Sequence, residues 1–239
     1  MKLKVCVIHG SPRKGNTYKA TQIFMEQLKK KGEVDFFEFF LSKDMPYFCS
    51  GCYNCFFKGE DKCPHAQYTQ PIAEAMKEAD GFIFTSPVFA LAESGQIKAF
   101  LDHFSYLYMP HRPMEEMFSK VAMVISTTAG AGTKHAIKPV SRSLTYWGIR
   151  KIYSIGLRIF AKSWQDMKLS KQDKFTRLLH ARANKFFTAV ENRKKLHVRL
   201  FTRLLFFAMK KSMSGYEEGN TDKKYWAEKG WLAGQSRPF

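Results

Sequence analysis

Gly10-Ser11-Pro12-Arg13-Lys14-Gly15-Asn16-Thr17 follows an apolar run, Leu3 to His9, and precedes a stretch in which Ala20, Ile23, Phe24 and Leu28 recur until Lys31-Gly32. Apolar alternation ending at a glycine reads as a first strand. The helical spacing after it reads as a helix, with Asn16 and Thr17 as N-cap candidates. In a strand, glycine-containing turn and helix of this kind, free backbone N–H groups and the positive end of the helix face an anion. Gly10 and Gly15 let the main chain approach closely, the hydroxyls of Ser11 and Thr17 can donate, and Arg13 adds a charge. The segment lacks the Gly-Lys-Ser/Thr of a Walker A loop and the Gly-x-Gly-x-x-Gly of dinucleotide-binding turns, so a single phosphate is the expected ligand. An ordinary strand-to-helix turn is the bland alternative.

The same grammar continues. Val34 to Phe40 reads as strand two, and Ile72, Ala75, Met76 and Ala79 mark a helix. Gly81 to Ser86, an apolar run stopped by Pro87, reads as a buried strand. Ile97, Phe100, Leu101 and Phe104 form a helical stripe, followed by a strand at Val121 to Ser126, a helix at Ala136 to Trp147 and a last strand at Ile152 to Leu157. Strands alternating with helices imply a parallel sheet covered on both faces. Ligands of such sheets bind beyond the carboxyl ends of the strands, where strand order reverses. The loops that matter are then Gly10 to Thr17, Ser86 to Leu91 and Thr127 to Thr133.

With 239 residues, 45% of them hydrophobic, the chain can bury a stable core. No run approaches the roughly 18 apolar residues of a bilayer span, and the basic start is followed by Gly-Ser-Pro instead of a cleavage pattern, so a strand is expected there and not a signal peptide. The net charge of +18 is uneven: residues 1–150 carry 19 basic and 14 acidic side chains, residues 151–239 carry 20 and 7. From about Ser170 the sequence turns helical and basic, with Phe175, Leu178, Leu179, Ala183, Phe186, Phe187 and Val190 on one stripe. Leu196 to Met213 and a tail with Tyr225, Trp226 and Trp231 follow. We therefore divide the chain into a domain at 1–165 and a basic helical extension with an aromatic tail at 166–239. The apolar stripe argues against a nucleic-acid surface. It favours packing on the domain or a second copy, with a weak contact to an anionic membrane surface as a further expectation. The aromatic tail is expected to dock back on the ligand loops, of its own or of a partner subunit.

Four of the five cysteines, Cys49, Cys52, Cys55 and Cys63, fall within one short segment, too compact for the disulfide framework of a secreted domain; a reducing cytoplasm fits. Thiolates spaced by two residues can converge on an iron-sulfur cube. They can also complete a tetrahedral zinc site, with His65 nearby, or remain metal-free thiols. Cys6, inside the first strand, reads as a buried inert thiol. His103, His111 and Arg112 read as solvated or interface residues rather than proton donors, although substrate contact is the sharper alternative.

The loop at Gly10 to Thr17, the segment Ala79-Asp80-Gly81-Phe82-Ile83-Phe84-Thr85-Ser86-Pro87-Val88-Phe89 with Lys98-Ala99-Phe100-Leu101-Asp102-His103, and Thr127-Thr128-Ala129-Gly130-Ala131-Gly132 together resemble the NADPH-dependent FMN reductase and iron-sulfur flavoprotein group. The resemblance covers residues 1 to about 157. It implies an α/β, flavodoxin-like, three-layer doubly wound sheet of five parallel strands, followed here by the helical extension. It implies that Ser11, Arg13, Gly15, Asn16 and Thr17 hold the FMN phosphate, that Ser86, Pro87, Val88 and Phe89 flank the isoalloxazine ring, and that Thr127, Thr128, Gly130 and Gly132 line its polar edge. Phe89 stands where Tyr is frequent, keeping the ring but losing a hydroxyl. The expected activity is NAD(P)H-dependent reduction of flavin, quinone or a similar small acceptor by a homodimer or tetramer. The cysteine motif resembles that of iron-sulfur flavoproteins, in which a 4Fe-4S cluster passes electrons to FMN, although flavodoxin-like reductases with a similar segment and no cluster also occur. Alternatives are an iron-sulfur flavoprotein fed by ferredoxin, and a non-enzymatic electron carrier.

Overall fold

The computed structural model describes residues 2–239. In chain order they form β1 (Leu3–His9), α1 (Asn16–Lys31), β2 (Val34–Phe40), α2 (Leu41–Asp44), α3 (Asn54–Phe57), α4 (Ala66–Glu78), β3 (Gly81–Pro87), α5 (Gly95–His103), β4 (Val121–Thr128), α6 (Thr133–Tyr146), β5 (Lys151–Arg158), α7 (Leu169–Glu191), α8 (Leu200–Ser214) and α9 (Thr221–Glu228). The five strands pair in parallel in the order β2-β1-β3-β4-β5. Strand order therefore reverses at β1, and the carboxyl ends of β1 and β3 bracket the crevice where this topology binds ligands.

β3 and β4 are buried on both faces, which is why their sequences run apolar without alternation. The edge strands β2 and β5 are half-exposed. Cys6, Ile8, Phe82, Phe84, Ala122 and Val124 point to one side and pack beneath α4, α5 and α6, with Trp147 among them. Val5, Val7, Ile83, Met123 and Ile125 point to the other side and pack beneath α1 and α7. This is a flavodoxin-like α/β fold.

One difference from the sequence reading, at the aromatic tail, has a physical cause. α7, whose stripe is expected to pack on the domain or on a second copy, packs on the domain and completes the second helical layer: Leu179, Ala183, Phe186 and Val190 bury against α1 and the central strands. The part standing outside the layers begins after Glu191. The aromatic tail, expected at the ligand loops, docks at the other end of the sheet instead, where Trp226 and Trp231 pack with Phe206 on Met109 and on Phe118 just before β4. Packed there, the two indoles and the Phe206 ring lose nearly all of their exposure to water.

Gly10 shows how tightly the strand ends are joined. Its N–H donates to Thr85 O at 2.9 Å, its carbonyl accepts from Ser94 Oγ at 2.6 Å, and an added Cβ would lie 2.2 Å from Ile97 Cγ1 and 2.7 Å from Thr85 O. The second of these atoms is backbone and cannot step aside. Gly10→Ala is expected to cost about 2 kcal/mol or more, measured by urea denaturation; an unchanged midpoint would show that β1, β3 and α5 are not locked here.

Candidate functional site

The carboxyl ends of β1, β3, β4 and β5 open into a cleft of about 770 Å³. Its first wall is the loop before α1, with Ser11, Arg13, Lys14, Gly15, Asn16 and Thr17. The second is Pro87, Val88 and Phe89, and the third is Thr127, Thr128 and Ala129. Segments of chain up to 110 residues apart are held together by a hydrogen bond of 2.7 Å between the buried hydroxyls of Thr17 and Thr127. Val88 N–H donates to Thr127 O at 2.9 Å and ties the second wall to the third.

Residue Gly15, not Asn16 or Thr17, is the N-cap of α1, and no side chain caps that helix end. The hydroxyl of Thr17 is engaged by Thr127, and the Asn16 amide donates to Lys162 O at 3.3 Å. With no acidic residue in the first turn, the leading N–H groups of α1 face the cleft together with Arg13 and Lys14. Those donors need an anion or water as partner. Ser11 Oγ closes the turn, donating to Arg13 O at 2.6 Å and accepting from Arg13 N–H at 3.3 Å.

The second wall is a tight turn in which Phe89 and Ala92 exchange both backbone hydrogen bonds, at 3.0 and 2.9 Å, around Ala90 and Leu91 at φ 48° and 64°. Left-handed backbone at two consecutive residues that are not glycine is costly and marks a loop held in place by its surroundings. It leaves the Phe89 and Leu91 side chains exposed beside the cleft.

Not every residue expected at the site lines it. Ser86 lies behind the wall: its hydroxyl donates to Pro87 O and accepts from Ser94 N–H, so it staples β3 to α5. Gly132 is an N-cap at φ 97°, where a Cβ would sit 2.7 Å from Val88 Cγ1, so it lets the second and third walls touch. Gly130 N–H is turned to Thr128 Oγ1 at 3.2 Å. In their place the segment after β5 supplies Ile159, Ala161, Lys162, Ser163 and Asp166. The sequence rule that ligands sit beyond strand ends could have included this fourth loop.

His9 closes β1 directly below the cleft. It is buried, stacked on Phe40 at 4.4 Å, and hydrogen-bonded to Glu38 at 2.9 Å. Burial lowers its pKa below the ordinary 6.5, outweighing the opposing pull of Glu38.

Cys49, Cys52, Cys55 and Cys63, all free thiols, surround a second pocket of about 280 Å³ with His65 and His103 on its wall. Burial and then the neighbouring thiols push the Cys55 thiol up to about 11. Burial also raises the Cys63 thiol, whereas the backbone hydrogen bond from Asn54 lowers that of Cys52; a positive centre stabilises the thiolate form of such a group. Cys63, His65 and His103 also bring their donor atoms within 4.8 Å of one another. His103 Nδ1 donates to Ala99 O at 2.8 Å, which leaves its Nε2 to accept from His65 Nδ1 at 2.9 Å.

Arg112, expected at a solvated or interface position, is 4% exposed. It donates to the backbone oxygens of Cys55 and Phe56, and pairs with Glu60 at 3.2 Å and with Asp222. His111 meets the same Asp222 at 2.8 Å, Trp226 Nε1 donates to His111 O at 2.6 Å, and Thr221 Oγ1 donates to Phe57 O at 2.9 Å. α9 thus clamps the cysteine segment through a buried cation, an arrangement invisible to sequence because its two halves lie 110 residues apart.

The sheet order and the uncapped helix end at the reversal point are those of a flavodoxin-like α/β protein. The chain belongs to the NADPH-dependent FMN reductase family, whose model matches residues 3–155. It is 31% identical to an iron-sulfur flavoprotein of Archaeoglobus fulgidus over 71% of this chain and 75% of that one. It is 33% identical to an iron-sulfur flavoprotein of Methanocaldococcus jannaschii over 55% and 67%. Among solved structures, an apo NADH:FMN oxidoreductase superposes with a TM-score of 0.56 at 18% identity, covering 84% of this chain and 94% of that one. An FMN-dependent NADH-azoreductase from Bacillus anthracis in complex with FMN gives 0.58 at 13% identity, over 77% and 99%. The protein is an FMN-dependent NAD(P)H oxidoreductase by family.

Two measurements check this electrostatic reading. Asp222→Ala leaves Arg112 buried with a half-exposed partner and is expected to cost about 3 kcal/mol, whereas the double variant Arg112→Met, Asp222→Ala costs less; equal losses would mean the pair is not coupled. For His9, the unfolded chain takes up its proton near pH 6.5 while the folded ring stays neutral, so its contribution is intact above that pH and drains away as pH falls toward the lowered folded value. Stability curves across that range should therefore be flatter for His9→Gln than for the wild type; parallel curves would remove the assignment.

Proposed function

We propose that the cleft binds FMN through its phosphate at the N-terminus of α1 and passes electrons from NADPH or NADH to a small-molecule acceptor such as a flavin or quinone. The observation that carries this is the uncapped helix end facing a cleft of about 770 Å³, within the size range of cofactor sites. Bound FMN supplies hydride acceptance and electron transfer. The protein's part is to bind and orient. Arg13 and the α1 N–H groups offset the phosphate charge, Thr17 and Thr127 fix the distance between the first and third walls, and Lys14 and Lys162 add positive potential that draws anionic dinucleotides. Pro87, Val88 and Phe89 supply the apolar surface for a planar ring, while Thr127 and Thr128 offer polar atoms at its edge.

The four cysteines are proposed to hold a 4Fe-4S cluster, with Cys49, Cys52, Cys55 and Cys63 as ligands; such a cluster supplies one-electron transfer. Their convergence on one pocket and the names of the iron-sulfur flavoprotein relatives support this reading over zinc or unligated thiols. A second protomer is proposed to cover the exposed Phe89, Leu91 and Phe160 near the cleft, making a homodimer. Ferredoxin is the protein partner that a cluster-bearing form would accept.

The test is reconstitution with FMN followed by fluorescence titration. Wild type is expected to bind FMN and oxidise NADPH with a quinone, and Arg13→Ala to weaken FMN binding about 10- to 100-fold by removing a charge-assisted contact. Failure of the wild type to bind FMN overturns the proposal. Anaerobically purified protein is expected to show a broad absorbance beneath the flavin bands that Cys55→Ser removes while the flavin bands stay.

A further inference from the structure

α8 carries large apolar side chains on its solvent side as well as on its buried side. Thr202, Phe206 and Met213 face inward, while Leu200, Phe201, Leu204 and Phe207 face outward, with Leu200 70% and Leu204 61% exposed. Those positions repeat at three- and four-residue spacing, so they form one continuous ridge and not scattered exposure. Cations flank it. Between Asn192 and Tyr216 there are seven Lys and Arg residues and not one acidic residue. Among the described residues only Arg193 of those seven has a carboxylate partner, Asp80. Arg237 adds an eighth cation, its guanidinium 5.7 Å above the Phe207 ring.

We propose that α8 docks the protein on an anionic lipid bilayer, with the ridge in the interfacial region and the flanking cations on the headgroups. An amphipathic helix lying in a membrane surface has this pairing: aromatic and leucine side chains entering the acyl boundary, lysine and arginine at the phosphates. The charge favours this occupant over others. A second copy meeting the ridge symmetrically would bring Arg199 and Arg203 of each protomer against a face free of carboxylates. A nucleic acid would use the cations but leave the leucines in water.

The ridge also lies where docking leaves the cleft open. Arg199 bonds Thr145 at the end of α6, and Phe206 packs on Phe118 before β4, so α8 sits at the amino-terminal end of the sheet while the cleft lies beyond the carboxyl ends. A membrane-bound molecule would present the cleft away from that contact.

The experiment is co-sedimentation of the full chain with phosphatidylcholine vesicles and with vesicles containing roughly one-third phosphatidylglycerol, at low and high salt. Binding is expected only to the anionic vesicles, weakened by salt, and reduced about 10-fold by Leu204→Asp and several-fold by Arg203→Glu. Both side chains are exposed, and an unchanged thermal midpoint of each variant confirms that the fold is intact. Absence of wild-type binding, or binding that Leu204→Asp leaves unchanged, overturns the proposal. So does a dimer in solution that Leu204→Asp dissociates, which would assign the ridge to a second copy. Oligonucleotide binding that ignores Leu204→Asp while vesicles fail would assign the cations to nucleic acid.

Discussion

Inside the protein the hydroxyls of Thr17 and Thr127 meet at 2.7 Å, both residues almost wholly buried. One belongs to the first turn of α1, the other to the last residues of β4, and between them lies the reversal of strand order. A buried hydroxyl without a partner is costly, so each side chain holds the other in place. The same contact fixes where the helix end stands: α1 begins at Gly15, which has no side chain to cap it, so the leading N–H groups face the cleft whose third wall Thr127 supplies. The contact that closes the fold is thus also the one that holds the uncapped helix end against the third wall. That coupling makes the cleft a property of the packed sheet and not of the loop alone.

Much of this could be read from sequence because the determinants are local. The strand at Leu3 to His9, the glycine turn and the helix beyond it announce themselves by periodicity, as does the double-faced burial of Gly81 to Ser86. What could not be read is which polar residue serves the ligand and which serves the scaffold. Ser86 and Gly132 sit in the correct loops, yet one staples β3 to α5 and the other lets Val88 approach the third wall. A serine or glycine beside a cleft has the same sequence signature in both roles, and only three-dimensional neighbours separate them. Ser94 illustrates the converse: it carries the junction of Gly10, Ser86 and α5 without any motif to point to it.

The end of the chain was harder for a different reason. α7 has the composition of an appendage, basic and helical, but its stripe of Leu179, Ala183, Phe186 and Val190 matches a sheet face that α1 covers only in part. Whether a helical stripe faces its own domain or another molecule depends on area left bare elsewhere, a quantity no local window contains. The same holds for Arg112, whose carboxylate partner Asp222 is supplied from α9.

Arg112 connects these observations to the cysteines. Its guanidinium donates to the carbonyl of Cys55, and the two carboxylates that hold it come from Glu60 within the cysteine segment and from Asp222 in the tail. A short loop carrying four thiols has little apolar surface of its own to fix it: Phe57 and Tyr53 are exposed and α3 is one turn long. Order must therefore come from outside, and a buried cation with several acceptors provides it directionally, as each N–H of the planar fork fixes a separate backbone or carboxylate oxygen. The aromatic packing of Trp226 and Trp231 on Phe206 then anchors α9 so that Asp222 stays in reach. In this chain the tail is part of the cysteine pocket's support, while α8, which shares the same aromatic cluster, turns its other face to solvent.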